Sequence, residues 1–407
     1  MYRLGVWVVS LRTEKAKQWI AGRSNWRQQL ASILQPGEQR IWIHCSSLGE
    51  FEQGKPLIEA IRQRYPGNKI VLTFFSPSGY EVCKNYRNAD YIFYLPMDGR
   101  KAARDFVAAV DPKLVLFVKY EFWYHYLYTL KQNKIPLLLV SGAFRPGQSF
   151  FKWYGGFFRT MLGCFSHLHV QDGVSAKLLE AIGFKNNVSI SGDTRYDRVT
   201  AIRAALQPIP LAALFKGSHK ILIAGSTWPD DEAAMEQCMK HLSDGWKLIV
   251  APHETDTKHI GQVQQLFGNE AVLYSELTRN ESLCAKRVLI IDNIGMLSSL
   301  YAYGDIAYVG GGFQKGGIHN VLEPAVFGIP VVMGPVYRKF VEAVSLTSAK
   351  VAFPVQNADE AAAVVSQLAN DDSQRKTISD QLQKFMKKKT GATERIMTQM
   401  LAAGWLK

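Results

Sequence analysis

The chain has 407 residues, 47% hydrophobic and 20% charged, with 48 basic residues against 35 acidic ones for a formal net charge of +13. That length predicts two domains of roughly 150 to 200 residues each, the composition excludes a disordered or fibrous chain, and the basic surplus asks for an anionic partner. The five cysteines are scattered without a C-x-x-C pair, which fits a reducing compartment, and neither zinc-finger spacing nor an RNA-binding signature is present, so no nucleic acid is expected.

The first thirty residues carry Arg3, Arg12, Lys15, Lys17, Arg23 and Arg27 against Glu14 alone, with three tryptophans among them. The apolar run from Leu4 to Val9 is too short to cross a bilayer, which takes roughly 20 apolar residues, and no small-residue cleavage site follows it. Leu4, Val8, Leu11 and Trp19 recur at helical spacing beside a basic face, so residues 1–30 are expected to lie on an anionic membrane surface. The alternative is a terminal helix packed on the first domain.

From Arg40 the chain alternates between strands and helices. RIWIHCSS reads as a buried strand, KPLIEAIRQRY as a helix and KIVLTFF as a second strand, which makes a βαβ unit. The pattern continues through KLVLFV, IPLLLVSG, HLHVQD, the helix GVSAKLLEAIGF and VSISGD, implying a parallel sheet covered on both faces. Pro208 and Pro210 interrupt it, and the alternation restarts with ILIAGS, WKLIVAP, VLIIDN, IAYVGGG and PVVMG. The fold class is therefore α/β, two doubly wound Rossmann-like domains facing each other across a cleft. The boundaries expected are 1–30 for the basic N-terminus, 31–205 and 206–375 for the two domains, and 376–407 for C-terminal helices, whose Lys387 to Lys389 form a solvated face.

The stretch GGGFQKGGIHNVLEPAVFGIPVVMGP, Gly310 to Pro335, carries the densest chemistry. A strand ends in Gly310, Gly311 and Gly312, a glycine pair follows at Gly316 and Gly317, and HNVLEPAVFG has helical apolar spacing. Strand, glycine loop and helix N-terminus is an arrangement that binds phosphate through backbone N–H groups and the helix dipole. Asn320 stands where the helix is expected to begin, and Glu323, one turn on, is placed to accept hydrogen bonds from ribose hydroxyls.

This stretch resembles the donor-binding signature of GT-B type glycosyltransferases, and nearly the whole chain resembles the 3-deoxy-D-manno-octulosonic acid (Kdo) transferases of lipopolysaccharide assembly. The landmarks are HCSSLGEFEQGKPLI at Glu50, LTFFSPSGYE, KLVLFVKYEFWY at Glu121, SGDTRYD at Arg195, GSTWPDDE at Gly225, APHETD at Pro252, and Gly310 to Pro335. The resemblance implies an inverting transfer of Kdo from CMP-Kdo to a lipid A precursor (lipid IVA), on the cytoplasmic face of the inner membrane, with the enzyme peripheral or anchored by its N-terminus. Inversion needs one base to take the acceptor proton. Glu50 and Glu52 both follow the first strand, and the family motif, Gly then Glu, selects Glu50; its alternative role is to complete a helix cap. Glu121 resembles the second carboxylate, which steadies the transition state, although the family shows Glu-Thr-Glu where this chain has Lys119, Tyr120 and Glu121. Arg195 stands where the family has Lys and keeps its positive charge.

The nucleotide positions implied by the resemblance are Pro252 and His253, then Ile294, Gly295 and Met296, and finally Asn320, Val321, Leu322 and Glu323. His253 replaces the usual Arg. Ser226 and Thr227 are read as helix-capping residues. No histidine pair has metal-ligand spacing, and neither a metal nor another cofactor is expected. Two other readings remain at this point, a nucleotide-sugar epimerase and a GT-B glycosyltransferase with a different donor; the intact Glu50, Glu121 and Arg195 argue against a non-catalytic binder.

Overall fold

A computed structural model describes residues 13–406, in two compact units: 13–198 with 389–406, and Val199–Lys388. The first holds a seven-stranded parallel sheet of β1 (Arg40–Cys45), β2 (Lys69–Phe74), β3 (Tyr91–Tyr94), β4 (Pro112–Val118), β5 (Leu137–Gly142), β6 (His167–Val170) and β7 (Val188–Ile190), in the order β3-β2-β1-β4-β5-β6-β7. Alternate residues of β1 enter opposite layers. Ile41, Ile43 and Cys45 join one apolar cluster, while Trp42 packs with Phe106, Phe117 and Tyr126 in the other. Burial on both faces is why the central strands read as unbroken apolar runs.

The second unit repeats the plan with β8 (Lys220–Thr227), β9 (Trp246–Pro252), β10 (Ala271–Leu273), β11 (Val288–Ile290), β12 (Ile306–Val309), β13 (Val331–Met333) and β14 (Ala352–Pro354), in the order β10-β11-β9-β8-β12-β13-β14. Each sheet has a switch point where successive connections leave in opposite directions, between β1 and β4 in the first and between β8 and β12 in the second. Crevices open there at the carboxyl ends of the strands.

Three expectations change. The units divide at 198/199, seven residues before the expected position. Pro210 begins the helix Pro210–Lys216, and Ala212 and Phe215 bury in the second unit's core. Proline at a first helical position starts a helix because its missing N–H has no partner to lose. The C-terminal segment is also divided. Residues 389–406 return to the first unit, where Ile396, Met397 and Met400 of the helix Ala392–Ala402 join the layer of Ile41 and Ile43. Asp197 receives the N–H groups of Gly391 and Thr393, and Gln399 Nε2 bonds His167 Nδ1 at 3.0 Å.

The third change concerns the basic N-terminus. Leu4, Val8 and Leu11 lie outside the described residues. Trp19, expected on the same lipid-facing stripe, is 8% exposed and sits edge-on to Phe75. Arg23 donates to Leu95 O (2.9 Å), Trp19 O (3.0 Å) and Phe75 O (2.6 Å), with its guanidinium over the Trp19 ring. From Glu14 to Ile33 the chain is two short helices, with Trp19, Trp26 and Leu30 buried. Among the described residues, no helix is long and apolar enough to cross a membrane.

Candidate active site

Glu50 and Glu121 follow β1 and β4, the two strands that bound the first switch point. Glu50 lies in the first turn of the helix Leu48–Arg64, and Gly54 of that helix lets it approach the sheet. A Cβ at Gly54 would lie 3.0 Å from Cys45 Sγ and 3.3 Å from Val118 Cγ2, the last side chains of β1 and β4. The capping role is real: Glu50 Oε2 accepts from Ser47 N (2.8 Å) and Ser47 Oγ (3.0 Å). Oε1 takes no hydrogen bond among the described residues. The cap therefore uses one oxygen, fixes the carboxylate and leaves the other available. Burial and then the charge of Glu121 raise the Glu50 pKa, with the Ser47 hydrogen bonds opposing them.

Lys119, first after β4, has φ 70°, a left-handed conformation costing a non-glycine residue roughly 1 kcal/mol or more. This turn carries Glu121 into the interior, where it is 5% exposed. Its Oε2 accepts from the Trp123 indole Nε1 and meets His44 Nε2 at 3.0 Å. His44, fully buried on β1, also bonds Thr73 Oγ1 of β2 through Nδ1 at 2.9 Å. The sequence singled out Glu121, and His44 and Trp123 are additions to it. The available signal for His44 was position: a polar ring in an apolar strand, one residue from the carboxyl end.

Arg195 is in the same unit, at the start of the helix Thr194–Ala204. Its Nε and Nη2 engage both oxygens of Asp193, at 3.0 Å and 2.7 Å to Oδ2, and Asp193 Oδ1 also accepts from Gln53 Nε2 at 3.3 Å. Gln53 belongs to the Glu50 helix, so a continuous hydrogen-bonded path joins Arg195 to the element bearing Glu50.

In the second unit the β8–β12 switch point brings together Ser226–Trp228 and Gly310–Gly312. A Cβ at Gly310 would lie 2.3 Å from Ser226 O, so this glycine is required by backbone against backbone. Asp231, fully buried, accepts from Trp228 N (3.0 Å), Gly311 N (2.8 Å) and Tyr308 Oη (2.7 Å), tying the β8 turn to the glycine loop. His253 follows Pro252 and stacks on Trp228 with ring centroids 4.8 Å apart; its other neighbour is His319 at 4.5 Å. Trp228 Nε1 donates to His319 Nε2 at 3.3 Å, and burial followed by the proximity of His253 lowers the His319 pKa to about 4. Trp228, Asp231 and His319 are additions to the sequence-derived set.

The expected phosphate-binding helix is reduced. Leu322–Ala325 is a single turn, too short to sum a macrodipole, and the N–H groups of Gly310, Gly311, Gly317 and His319 already have partners within the loop or at Gly225 and Asp231. Pro324 and the turn at Gly328 end the apolar spacing that suggested a longer helix. Asn320 accepts from Leu322 N at 3.1 Å and donates to Glu323 Oε1 at 3.1 Å, so these two candidates are joined, with Val321 and Leu322 buried behind them. Ile294, Gly295 and Met296 follow β11, the neighbour of β9, which ends at Pro252. Ile294 is 84% exposed and Gly295 has φ 94°, presenting backbone and a bare apolar side chain. Among the described residues, no group of three or more His, Cys, Asp or Glu is arranged to hold a metal ion.

The model of the family described as 3-deoxy-D-manno-octulosonic-acid transferase (kdotransferase) matches residues 24–198. The chain is similar to the 3-deoxy-D-manno-octulosonic acid transferase of Haemophilus influenzae, at 26% identity over 404 residues, covering 96% of this chain and 92% of the relative. The enzyme of the same name from Aquifex aeolicus is 26% identical over 302 residues, 74% of this chain and 77% of that one. Among solved structures, the UDP-GlcNAc 2-epimerase of Neisseria meningitidis bound to UDP-GlcNAc superposes with a TM-score of 0.61 at 13% identity, covering 89% of this chain and all of that one. The calicheamicin glycosyltransferase CalG4 gives 0.57 at 12% identity, covering 89% and 98%. These two likenesses establish the two-domain α/β fold alone.

Proposed function

We propose that this chain, whose residues 24–198 match the Kdo transferase family model and whose relatives of that name span most of its length, is an inverting glycosyltransferase that moves Kdo from CMP-Kdo to a lipid A precursor. The carrying observation is the position of Glu50, with one oxygen held by the cap, the other available, and a proton affinity raised by burial and by Glu121. Glu50 takes the proton from the acceptor hydroxyl as that oxygen bonds to the anomeric carbon of Kdo. The bond from that carbon to the phosphate oxygen breaks, and CMP leaves with the electron pair.

Glu121 steadies positive character at the sugar. Arg195, oriented by Asp193, offsets negative charge on the donor. Nucleotide binding falls to the second unit: Pro252 and His253, the backbone from Ile294 to Met296, and Asn320 to Glu323. Transfer needs no divalent metal in this reading. The chain works at the cytoplasmic face of the inner membrane, a reading supported by its +13 charge and by an exposed aromatic ridge of Tyr128, Trp153, Tyr154 and Phe157 in the first unit.

The test is transfer of labelled Kdo from CMP-Kdo, generated in situ, to lipid IVA in detergent, with EDTA present and absent. Glu50→Gln is expected to lower the rate by roughly 10²- to 10⁴-fold while the variant still binds CMP. Turnover of nucleotide sugar without acceptor, or a Glu50→Gln rate equal to wild type, would overturn the reading.

A further inference from the structure

The geometry around the buried imidazole of β1 carries one step more. We infer that His44 is a positioning residue for Glu121, holding Oε2 through Nε2 and leaving Oε1 for the reacting sugar. The inference rests on the role of Glu121 proposed above.

His44 and Thr73 are opposite one another in the β1–β2 register, and Phe117 of β4 flanks the ring on the other side at 5.2 Å. Nothing but protein surrounds the imidazole. Trp42 Nε1 donates to Thr73 Oγ1 at 2.8 Å, and His44 Nδ1 lies 2.9 Å from that hydroxyl and 3.2 Å from Thr73 O, so Thr73 holds the ring from one side. A proton on Nε2 lets the ring donate to Glu121 Oε2 at 3.0 Å, with Nδ1 accepting from the Thr73 hydroxyl; a proton on both nitrogens lets Nδ1 donate to Thr73 O as well. The opposite tautomer would set a bare nitrogen against a carboxylate oxygen. Trp123 Nε1 completes the shell of Oε2.

Two donors on one oxygen stop the carboxylate from rotating. Oε1 accepts from no described residue, and the side chain keeps 7% exposure, so that oxygen is left for a ligand. A chain of hydrogen bonds thus runs Trp42, Thr73, His44, Glu121 across three adjacent strands, ending at the switch point. A buried histidine serving packing alone would not need both nitrogens engaged, by Thr73 on β2 and by Glu121 just past β4.

His44→Asn lacks the donor at the Nε2 position, whereas the amide nitrogen of His44→Gln reaches it. The expected result in the transfer assay is a kcat lower by roughly 10- to 100-fold for His44→Asn, the value of a charge-assisted hydrogen bond, with KM for CMP-Kdo within about twofold of wild type. His44→Gln is expected to recover most of the loss. In a Glu121→Gln background, His44→Asn is expected to add little, because the two act as one unit. Melting temperature and CMP binding, measured on every variant, report folding; if His44→Asn does not fold, the comparison of His44→Gln with wild type in both backgrounds carries the test.

Wild-type kcat in His44→Asn, or a loss that persists in full in the Glu121→Gln background, would overturn the positioning role while leaving that of Glu121 intact. If Glu121→Gln and His44→Asn both turn over at the wild-type rate, the reading of Glu121 falls and this inference falls with it.

Discussion

The carboxylates of Glu50 and Glu121 stand at the carboxyl ends of adjacent strands, and burial followed by the charge of Glu121 makes Glu50 hold its proton more tightly than an ordinary carboxylate. A base must be ionised to act, so transfer falls as pH drops through the raised pKa of Glu50. Replacing Glu121 by Gln removes the repelling charge and lowers that pKa. The acid limb of kcat/KM is therefore expected to move to lower pH in Glu121→Gln while the plateau falls, and a pH profile of both proteins checks it. A limb that stays in place would mean the two carboxylates do not interact as described.

Asp231 is the corresponding keystone of the second unit. Of its three donors, Gly311 N and Tyr308 Oη are buried and Trp228 N partly so, and removing the acceptor takes the partner from each. Asp231→Ala is expected to cost about 3 kcal/mol in denaturant unfolding and to weaken CMP binding, because the β8 turn and the glycine loop lose their tie. Unchanged stability would show the loop to be held by other contacts.

His319 predicts an acid sensitivity. Burial and then His253 lower its pKa from 6.5 to about 4, so at neutral pH the ring is neutral and accepts from Trp228. The unfolded chain takes up a proton near 6.5, whereas the folded chain does so only near 4. Its stability contribution is thus fully present above about pH 6.5 and is lost progressively as pH falls toward 4. His319→Gln is expected to flatten that part of the stability profile, measured by urea unfolding between pH 7 and pH 4. A profile parallel to wild type would contradict the assignment.

The central strands were legible because burial on both faces makes them continuous apolar runs, as in RIWIHC and KLVLFV. Strands β3, β10 and β14, which the sequence did not separate, all lie at sheet edges. There they are three or four residues long and covered on fewer sides, so no long apolar run marks them. The carboxylates were legible because they follow strands directly and sit in recognisable motifs. His44, Asp231 and His319 were not, because their roles depend on which strands become neighbours: β1 with β2 and β4, and β8 with β12. The one-turn helix at Leu322 was misread for a related reason. Apolar spacing there reflects burial of Val321, Leu322 and Ala325 around a turn that Pro324 and Gly328 keep short.

The aromatic ridge of the first unit allows the membrane reading to be tested apart from the chemistry. Tyr124 follows Glu121 by three residues, stacks near Tyr128 at 6.1 Å and meets Phe157 at 5.0 Å, so the ridge is continuous with the segment that holds Glu121. Trp153, 92% exposed, and Tyr154 extend it, and Lys131, Lys134 and Arg145 are exposed on neighbouring segments. Aromatic rings that insert at a headgroup layer, with cations beside them, suit an anionic bilayer. The double variant Trp153→Ser with Phe157→Ser is expected to bind vesicles containing phosphatidylglycerol roughly tenfold or more weakly, given about 1.5–3 kcal/mol for each buried ring. Its kcat on detergent-dispersed acceptor is expected to stay at the wild-type value, and wild-type binding should weaken with added salt. If the double variant sediments with vesicles as wild type does, the ridge is not the contact face, and membrane association belongs to another part of the chain.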